Sequence, residues 1–314
     1  MKTISLVVPV FQNEPNLAEN LPRMLHAIRT IEGMRPELVL VDDGSTDRSF
    51  ELLERFAEAN PGEVTLVKLT RNFGQTPAIQ AGLRHAAGDC VGIISADLQE
   101  PENALTDMLR HWRGGAQFVI GERHQRDEGR SHRAASSIYW RLVRRLALRD
   151  FPDAGYDFCL LDRAVVDEVC RINEKNTSIF VLLYWLGYKP AFVPIIRSVR
   201  RAGQSQWGLW RKVRITVDTL IGFSYFPARL IVVTSLMASC FSLIYLGIML
   251  VIWARYRAAP PGWMTLAGIG FLGGALVLFS LGIISEYLVR ILDETRKRPP
   301  FVVERVRRAT DEGR

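Results

Sequence analysis

Two long runs without a charged residue restrict the folds that this 314-residue chain can adopt. Residues 230–253 and 262–285 each comprise 24 positions with no Asp, Glu, Lys or Arg. As α-helices they would be about 36 Å long, because a helix rises about 1.5 Å per residue, and the hydrocarbon core of a bilayer is about 30 Å thick. Buried helices of a soluble protein usually keep a polar side. We therefore predict two transmembrane helices in this part of the chain.

The amino-terminal two thirds of the chain alternate short apolar runs with amphipathic segments. The first amphipathic segment opens at Pro15 and places Leu17, Leu21, Leu25 and Ile28 at helical spacing. The predicted strands are 4–10, 38–41, 64–69, 90–94 and 118–120, and the further predicted helices are 47–59, 76–87 and 102–112. Such alternation predicts an α/β fold, a Rossmann-like and mostly parallel sheet with helices on both faces.

The segment 88–101 contains a short apolar strand that stops abruptly on Asp97, Gln99 and Glu100. A run this short and this apolar is typical of a central parallel strand. Ligands of open α/β sheets bind outside the carboxyl ends of the strands, and oxygen ligands there suit Mg²⁺ or Mn²⁺ bridging to a phosphorylated substrate. The alternative is a polar turn with Pro101 opening the next helix.

A second acidic group follows the strand at 38–41, in the sequence Val-Asp-Asp-Gly-Ser-Thr-Asp of residues 41–47. The Asp-Gly pair makes the turn, and Ser45 or Asp47 can cap the following helix. The turn and the cap do not explain why two adjacent carboxylates, Asp42 and Asp43, follow the strand. At the ligand edge of the sheet, such a group could accept hydrogen bonds from the base or ribose of a nucleotide.

The net charge restricts the partners that the protein can bind, and the cysteine content indicates the compartment in which it resides. Forty Lys and Arg against 33 Asp and Glu give a net charge of +7, which suits nucleic acid, an anionic membrane or phosphorylated substrates. The uncharged runs favour the membrane, and we expect no nucleic-acid partner. The run 4–10 is too short for a secretory signal. The four cysteines have neither C-x-x-C nor zinc spacing, which is typical of buried thiols in a reducing compartment.

The segment 207–227 precedes the first uncharged run and has one apolar side, formed by Trp207, Trp210, Val213, Val217, Leu220 and Ile221. Its position favours a juxtamembrane amphipathic helix over a helix packed on the preceding domain. Basic residues flank the pair of uncharged runs, so both ends are expected in the cytoplasm, although Arg255 and Arg257 lie in the connecting loop. The predicted regions are a catalytic domain at 1–206, this helix at 207–227, a two-helix transmembrane region at 228–290 and a basic cytoplasmic tail at 291–314.

Eight short motifs occur in the order seen in family 2 glycosyltransferases. They lie at 8–14, 41–47, 71–74, 81–82, 96–101, 121–123, 157–158 and 200–205. Within that superfamily the chain resembles the polyprenyl-phosphate glycosyltransferases, which include dolichol-phosphate mannose synthases and bacterial undecaprenyl-phosphate glucosyltransferases. The resemblance runs nearly from end to end, including the two apolar runs. The absence of a Gln-x-x-Arg-Trp motif argues against a processive polysaccharide synthase.

The resemblance implies a GT-A fold, a nucleotide-sugar donor, a divalent metal and a polyprenyl-phosphate acceptor. Matched position by position, it implies that Pro9, Glu14 and one or both of Asp42 and Asp43 bind the nucleotide. It also implies that Asp97 and Gln99 hold Mg²⁺ or Mn²⁺ and that Asp157 is a catalytic base or an orienting carboxylate. The positions implied to contact the phosphates of donor or lipid are Arg123, Arg133, Ser137, Arg200 and Ser205, with Arg200 also assisting catalysis and Ser205 in a lid.

Two positions depart from the family pattern. Ser95 stands where many relatives have the first Asp of an Asp-x-Asp motif, so a metal there has one carboxylate fewer. Cys159 stands where relatives often have Arg in an Asp-Phe-Arg sequence. Arg163 is the residue that we expect to replace this cation.

The function that the resemblance implies is inverting transfer of a hexose-type sugar to a polyprenyl phosphate at the cytoplasmic face of the plasma membrane, with UDP-glucose favoured over GDP-mannose as donor. Two alternatives remain open, a non-catalytic membrane protein that binds nucleotide-sugar and a transferase with a non-lipid acceptor. Gly270 and Gly274 form a small-x-x-x-small pair that is compatible with a homo-oligomer.

Overall fold

The computed structural model describes residues 1–98, 102–123, 151–152, 155–174, 177–195, 226–256 and 262–308. The chain divides into two compact units. The first comprises Met1–Thr216 and Pro299–Arg314, and the second comprises Val217–Arg298. The predicted positions Gln99, Arg133, Ser137, Arg200 and Ser205, together with the amphipathic helix at 207–227 up to residue 225, lie outside the described residues.

The first unit is built on one sheet with helices against it. The strands are β1 (Lys2–Val10), β2 (Met34–Asp42), β3 (Val64–Leu69), β4 (Cys90–Ile93), β5 (Phe118–Arg123), β6 (Cys159–Asp162), β7 (Pro190–Ile195) and β8 (Val303–Arg307). The helices are α1 (Glu14–Arg29), α2 (Ser49–Ala59), α3 (Gln75–His85), α4 (Glu102–Arg113), α5 (Arg163–Arg171) and α6 (Ile179–Trp185). The order of the strands is β7-β5-β6-β4-β1-β2-β3-β8.

The sheet is mostly parallel, as predicted. Neighbouring strands among β4, β1, β2 and β3 pair in parallel, and so do β5 and β7. β6 is antiparallel to both β4 and β5, and β8 is antiparallel to β3. Because β6 runs against β4, its amino-terminal end lies at the carboxyl end of β4. This reversal brings the residues just before β6 to the ligand edge.

Helices cover both faces of the sheet. On one face α1 buries Leu17, Leu21, Met24, Leu25 and Ile28, which confirms the helical spacing predicted from Pro15 onward. These residues share a core with alternate side chains of β1, and each fully buried Leu contributes about 1.5–3 kcal/mol.

On the other face α3 approaches β1 and β2 closely. A Cβ at Gly82 would lie 2.3 Å from Cγ1 of Val7 and 3.1 Å from Cγ2 of Val41. The helix can therefore lie this close to the sheet only with a glycine at that position.

The second unit consists of two long apolar helices, α7 (Phe226–Tyr256) and α8 (Trp263–Thr295). Both contain a stretch that is long and apolar enough to cross a membrane, Ala228–Tyr245 with a mean hydropathy of 1.7 and Ile269–Thr295 with 1.9. Their large apolar side chains are exposed within the unit, for example Leu236, Phe271 and Leu278. These helices contain the two uncharged runs, and they are consistent with the predicted transmembrane helices.

The chain returns to the first unit after α8. Strand β8 pairs with β3, so that Leu66 lies opposite Arg307 and Lys68 opposite Arg305. Ion pairs join Lys68 to Glu304 at 2.9 Å, Arg305 to Glu54 at 2.7 Å and Arg307 to Glu58 at 3.2 Å. The segment predicted as a basic tail thus contributes the strand that covers the edge of β3, and two of its arginines face acidic residues of α2.

Candidate active site

Four loops meet at one edge of the sheet. They follow β1, β2, β3 and β4, which run in parallel, so their carboxyl ends share this edge. This is the position at which open α/β sheets bind ligands. The predicted residues Pro9, Glu14, Asp42, Asp43 and Asp97 all belong to these strand ends or loops.

The loops after β1 and β2 are joined by side chains. The backbone N–H of Gln12, whose φ is 47°, donates to Oγ of Ser45 at 3.1 Å, and its amide donates to Oγ1 of Thr46 at 3.1 Å. The backbone N–H of Asn13 donates to Oγ of Ser49 at 2.9 Å. These three hydroxyl groups, of which the sequence had indicated only Ser45, as a helix cap, therefore fix one loop against the other.

Glu14 and Pro9 lie at the same junction. Glu14 begins α1, and its Oε2 accepts a hydrogen bond from the backbone N–H of Arg48 at 3.3 Å. Pro9 lies opposite Val41 near the end of β1 and is half-buried. Both residues are placed beside the predicted nucleotide position, and their role in binding stays a prediction.

Asp42 and Asp43 are both buried, and each organises a different turn. Both carboxylate oxygens of Asp42 lie 3.3 Å from the backbone N–H of Ser45 and accept from it. Oδ1 of Asp43 accepts from the N–H of Phe73 at 2.7 Å, and Oδ2 accepts from Gly74 at 2.9 Å. Burial raises the pKa of Asp43 to about 6. The two backbone hydrogen bonds favour the ionised form and lower the pKa, but their effect is smaller than that of burial. Asp43 therefore fastens the loop after β3 to the loop after β2.

Gly44 brings the same two loops into direct contact. Its φ is +69°, and a Cβ would lie 2.4 Å from the carbonyl carbon of Arg71 and 2.6 Å from the backbone nitrogen of Asn72. No other residue fits both the conformation and the space. The motifs at 41–47 and 71–74, separate in the sequence, are thus packed as one unit.

The loop after β4 carries Asp97 in a tight turn. The backbone N–H of Leu98 donates to the carbonyl of Ser95 at 3.2 Å, and Leu98 has a φ of 43°. Asn20, buried on α1, donates its amide to the carbonyl of Ala96 at 2.9 Å. Sequence reasoning missed Asn20, and its signal was a polar residue on the apolar side of α1.

The donor set around Asp97 suits a hard cation that is shared with a phosphorylated ligand. Among the residues that the structure describes, no group of three or more His, Cys, Asp or Glu could hold a metal. A single half-buried carboxylate in a loop at the ligand edge fits Mg²⁺ or Mn²⁺, because these ions keep water and substrate phosphate oxygens as ligands. Asp97 thus fits the metal position that was predicted, without forming a complete protein cage.

Asp157 reaches the same edge from the other direction, since it lies two residues before β6. The preceding Tyr156 is buried, and its hydroxyl donates to the carbonyl of Phe180. Its ring packs against Phe118 and Phe151 with centroid distances of 5.9 and 5.8 Å. This aromatic anchor fixes the backbone next to the half-buried Asp157.

Two arginines predicted for the site are placed by their strands or helices. Arg123 ends β5, opposite Ile195 of β7, and β5 ends at the ligand edge because it is antiparallel to β6. Arg163 instead donates to the carbonyls of Gly88 at 2.8 Å and Ala86 at 2.9 Å, just before β4 begins. The expectation that Arg163 replaces the cation absent at position 159 was wrong, because its guanidinium is held at the opposite end of β4.

Comparisons with known proteins agree with this architecture. A model of the family described as glycosyl transferase family 2 matches residues 5–170. An uncharacterised glycosyltransferase of Bacillus subtilis is 33% identical over 303 residues, covering 96% of this chain and 93% of that protein. A prophage bactoprenol glucosyl transferase homolog of Escherichia coli is 32% identical over 310 residues, covering 97% of this chain and 99% of that protein.

Solved structures share the fold at lower identity. Glucosyl-3-phosphoglycerate synthase of Mycobacterium tuberculosis aligns with a TM-score of 0.50 at 18% identity, over 71% of this chain and 81% of that one. The family model covers more than half of the chain, and the two relatives match nearly all of it. By these measures the chain belongs to glycosyl transferase family 2.

Proposed function

We propose that the protein transfers a hexose-type sugar, with inversion, from a nucleoside diphosphate sugar to a polyprenyl phosphate at the cytoplasmic face of the plasma membrane. One observation carries the acceptor class. A family 2 glycosyltransferase site is joined in one chain to two membrane-length apolar helices, and a bactoprenol glucosyl transferase homolog matches both parts over 97% of this chain. A related transferase of Klebsiella pneumoniae is named for undecaprenyl phosphate.

The donor's nucleotide is assigned to the joined loops after β1, β2 and β3. Pro9 and Glu14 come from the end of β1 and the start of α1, and Asp42 and Asp43 come from the end of β2 and the residue after it. The hydrogen bonds and close packing between these loops support the assignment, because a site that is fixed before the ligand binds loses less entropy on binding. UDP-glucose is the donor that we favour.

Asp97 and Gln99 are assigned to a divalent cation, Mg²⁺ or Mn²⁺. The bound ion would stabilise the negative charge that develops on the departing diphosphate. The half-buried carboxylate of Asp97 in its anchored turn supports this assignment. So does the solved glucosyl-3-phosphoglycerate synthase, which shares the fold and was crystallised with Mn²⁺, uridine diphosphate and its glucosylated product.

The acceptor needs little activation. The second pKa of a phosphate monoester is about 6, so its dianion is present at neutral pH and can attack the anomeric carbon directly. The bond from that carbon to the diphosphate oxygen breaks as the new bond forms on the opposite face of the sugar. Asp157 is assigned to orient the acceptor or to act as its base. Arg123, Arg133, Ser137, Arg200 and Ser205 are assigned to the phosphates, for which guanidinium groups are suited.

Chain connectivity supports the cytoplasmic orientation of both ends. The chain up to Thr216 and the chain from Pro299 onward belong to the same compact unit, and β8 pairs with β3 inside it. Two membrane crossings return a chain to the side from which it started, so the catalytic unit and β8 share one side. The basic residues that follow α8 favour the cytoplasm for that side.

The deciding experiment incubates the purified full chain with undecaprenyl phosphate, Mg²⁺ or Mn²⁺ and a panel of labelled nucleotide-sugars. We expect a lipid-extractable labelled product, with UDP-glucose the most effective donor. If no donor gives a lipid-linked sugar while nucleotide-sugar still binds, the protein is a non-catalytic binder. A labelled product that partitions into water would indicate a non-lipid acceptor.

A further inference from the structure

The pairing of β4 with β6 relates Ser95 to Asp157. The antiparallel register is Val91 with Leu161, Gly92 with Leu160 and Ile93 with Cys159. The ladder ends at Ile93 and Cys159, but Ile94 still donates its backbone N–H to Val7 of β1 at 3.1 Å, and Phe158 still accepts from Gly121 of β5 at 3.0 Å. Continued by one further residue, the same register would place Ser95 opposite Asp157. Directly opposite residues of an antiparallel pair have Cβ atoms about 4.5–5.5 Å apart and point to the same face.

Side-chain burial supports this continuation. Ile94 and Phe158, the first pair beyond the ladder, both belong to the core cluster that also contains Leu160. Side chains alternate along a strand, so the same continuation puts Ser95 and Asp157 on the other face, together with Cys159. Burial raises the pKa of the Cys159 thiol, and the charge of Asp157 raises it further, as expected of two groups on the same face.

Cys159 provides no charge to this group. Its side chain is completely buried, and burial holds its thiol in the neutral form at physiological pH. It lies close enough to the buried Tyr156 for a charge on sulfur to raise the pKa of that phenol. A cation at position 159 would therefore be completely buried and would need an anionic neighbour.

We propose that Ser95 and Cys159 are a pair of positioning residues that act through Asp157, keeping it the one carboxylate among residues 91–95 and 157–161, all of which the structure describes. A carboxylate at position 95 would lie opposite Asp157, and like charges directly opposite each other repel. The neutral pair leaves the Asp157 carboxylate in place to face the acceptor phosphate. The catalytic part of this inference rests on the proposed function of Asp157, whereas the register part does not.

Two variants at position 95 distinguish the effect of the side chain's charge from the effect of its size. Ser95→Asp and Ser95→Asn introduce side chains of nearly equal size, of which only the first is charged. We expect Ser95→Asp to lower kcat at least tenfold with little change in the KM of the donor. Ser95→Asn should stay within threefold of the wild type. Equal effects of the two substitutions would overturn the proposal, because size alone would then explain them.

A double-mutant cycle tests the pairing itself. The diagonal from position 159 to position 95 is about 7–8 Å, which the long side chain of Arg can span. Ser95→Asp and Cys159→Arg should each lower the melting temperature, and the double variant should recover most of the loss in both melting temperature and kcat. Additive losses would overturn the pairing.

The melting temperatures are measured on the full chain without substrates, so they do not depend on activity. Coupled melting temperatures in a protein that transfers no sugar would refute the proposed function and retain the register. If the single variant Cys159→Arg does not fold, the comparison of Ser95→Asp with Ser95→Asn still decides whether the charge at position 95 matters.

Discussion

The carboxylate of Asp43 accepts a hydrogen bond from the backbone N–H of Gly74 at 2.9 Å, and this contact fixes the start of α3. The same carboxylate accepts from Phe73, so one side chain satisfies two backbone donors of the loop after β3. Donors at the start of a helix lack partners within the helix. Asp43 thus satisfies the start of the helix and, at the same time, sets the shape of the position proposed for the nucleotide.

Asp43→Asn should weaken both stability and donor binding. The amide offers a single acceptor oxygen, and its NH₂ group faces a backbone N–H, so one buried donor loses its partner at a cost of about 1–3 kcal/mol. Thermal melting and isothermal titration with UDP-glucose measure the two effects. Asp167→Asn on α5 is the matched control, because Asp167 is exposed. Unchanged melting of Asp43→Asn would show that the loop does not depend on this contact.

The raised pKa of Asp43 predicts a pH dependence of stability. Its pKa is 3.8 in the unfolded chain and about 6 in the folded protein. Between these values the folded state binds more protons, so the free energy of unfolding contributed by Asp43 falls as pH rises from about 4 to 6 and is constant above. Melting of the wild type relative to Asp43→Asn, from pH 4 to 8, should show this decline. A difference that rises with pH would contradict the assignment.

Much of the fold follows from local sequence signals. Strands β1 to β5 and helices α1 to α4 were predicted because each has a clear period and a turn at its end. The short β6 and the segments α5, α6 and β7 were not predicted. The four residues of β6 become a strand only because β4 and β5 lie on either side of it. Strand β8 was not predicted either, because the basic residues around it indicated a cytoplasmic tail.

For the candidate site, too, the sequence predicted what depends on neighbouring residues but not what depends on contacts between distant segments. Asp97 and the pair Asp42 and Asp43 were found because acidic residues follow apolar strands. The sequence did not indicate that Asp43 binds the loop after β3 or that Asn20 supports the Asp97 turn, since both contacts join distant segments. Nor did it indicate that Ser95 and Cys159, which appeared as two independent departures, lie just after β4 and at the start of its neighbour β6.

Asp97→Asn should lower turnover by at least about 10²-fold, the loss typical of removing a major electrostatic stabiliser. The neutral amide binds a divalent cation more weakly than a carboxylate does. Mn²⁺ binding in the presence of uridine diphosphate, followed by electron paramagnetic resonance, should weaken in parallel. Asp107→Asn on the exposed side of α4 serves as the control, since Asp107 pairs only with Arg110 among the described residues. Near-normal turnover and Mn²⁺ binding in Asp97→Asn would refute the metal assignment.

Phe301 should anchor β8, the strand that follows the two long apolar helices. It is 8% exposed, and the guanidinium of Arg84 lies 5.1 Å from its ring centroid. Phe301→Ala should lower the free energy of unfolding of the first unit by about 3 kcal/mol, at the lower end of values for buried Phe. Val302→Ala is the control, because Val302 is 45% exposed. Equal melting of the two variants in detergent would show that the segment before β8 is not anchored by its aromatic side chain.

The connectivity of β8 predicts on which side of the membrane each segment lies. Because β8 pairs with β3, residues after α8 must share the compartment of the catalytic unit, and the loop at 257–261 must lie across the membrane. In a background that carries both Cys170→Ser and Cys240→Ser, because Cys90 and Cys159 are buried, Ala258→Cys should react with a membrane-impermeant maleimide in intact cells. Val302→Cys should react only after the cells are permeabilised. Labelling of Val302→Cys in intact cells would place the catalytic unit outside, where nucleotide-sugars are absent, and would exclude the proposed cytoplasmic reaction.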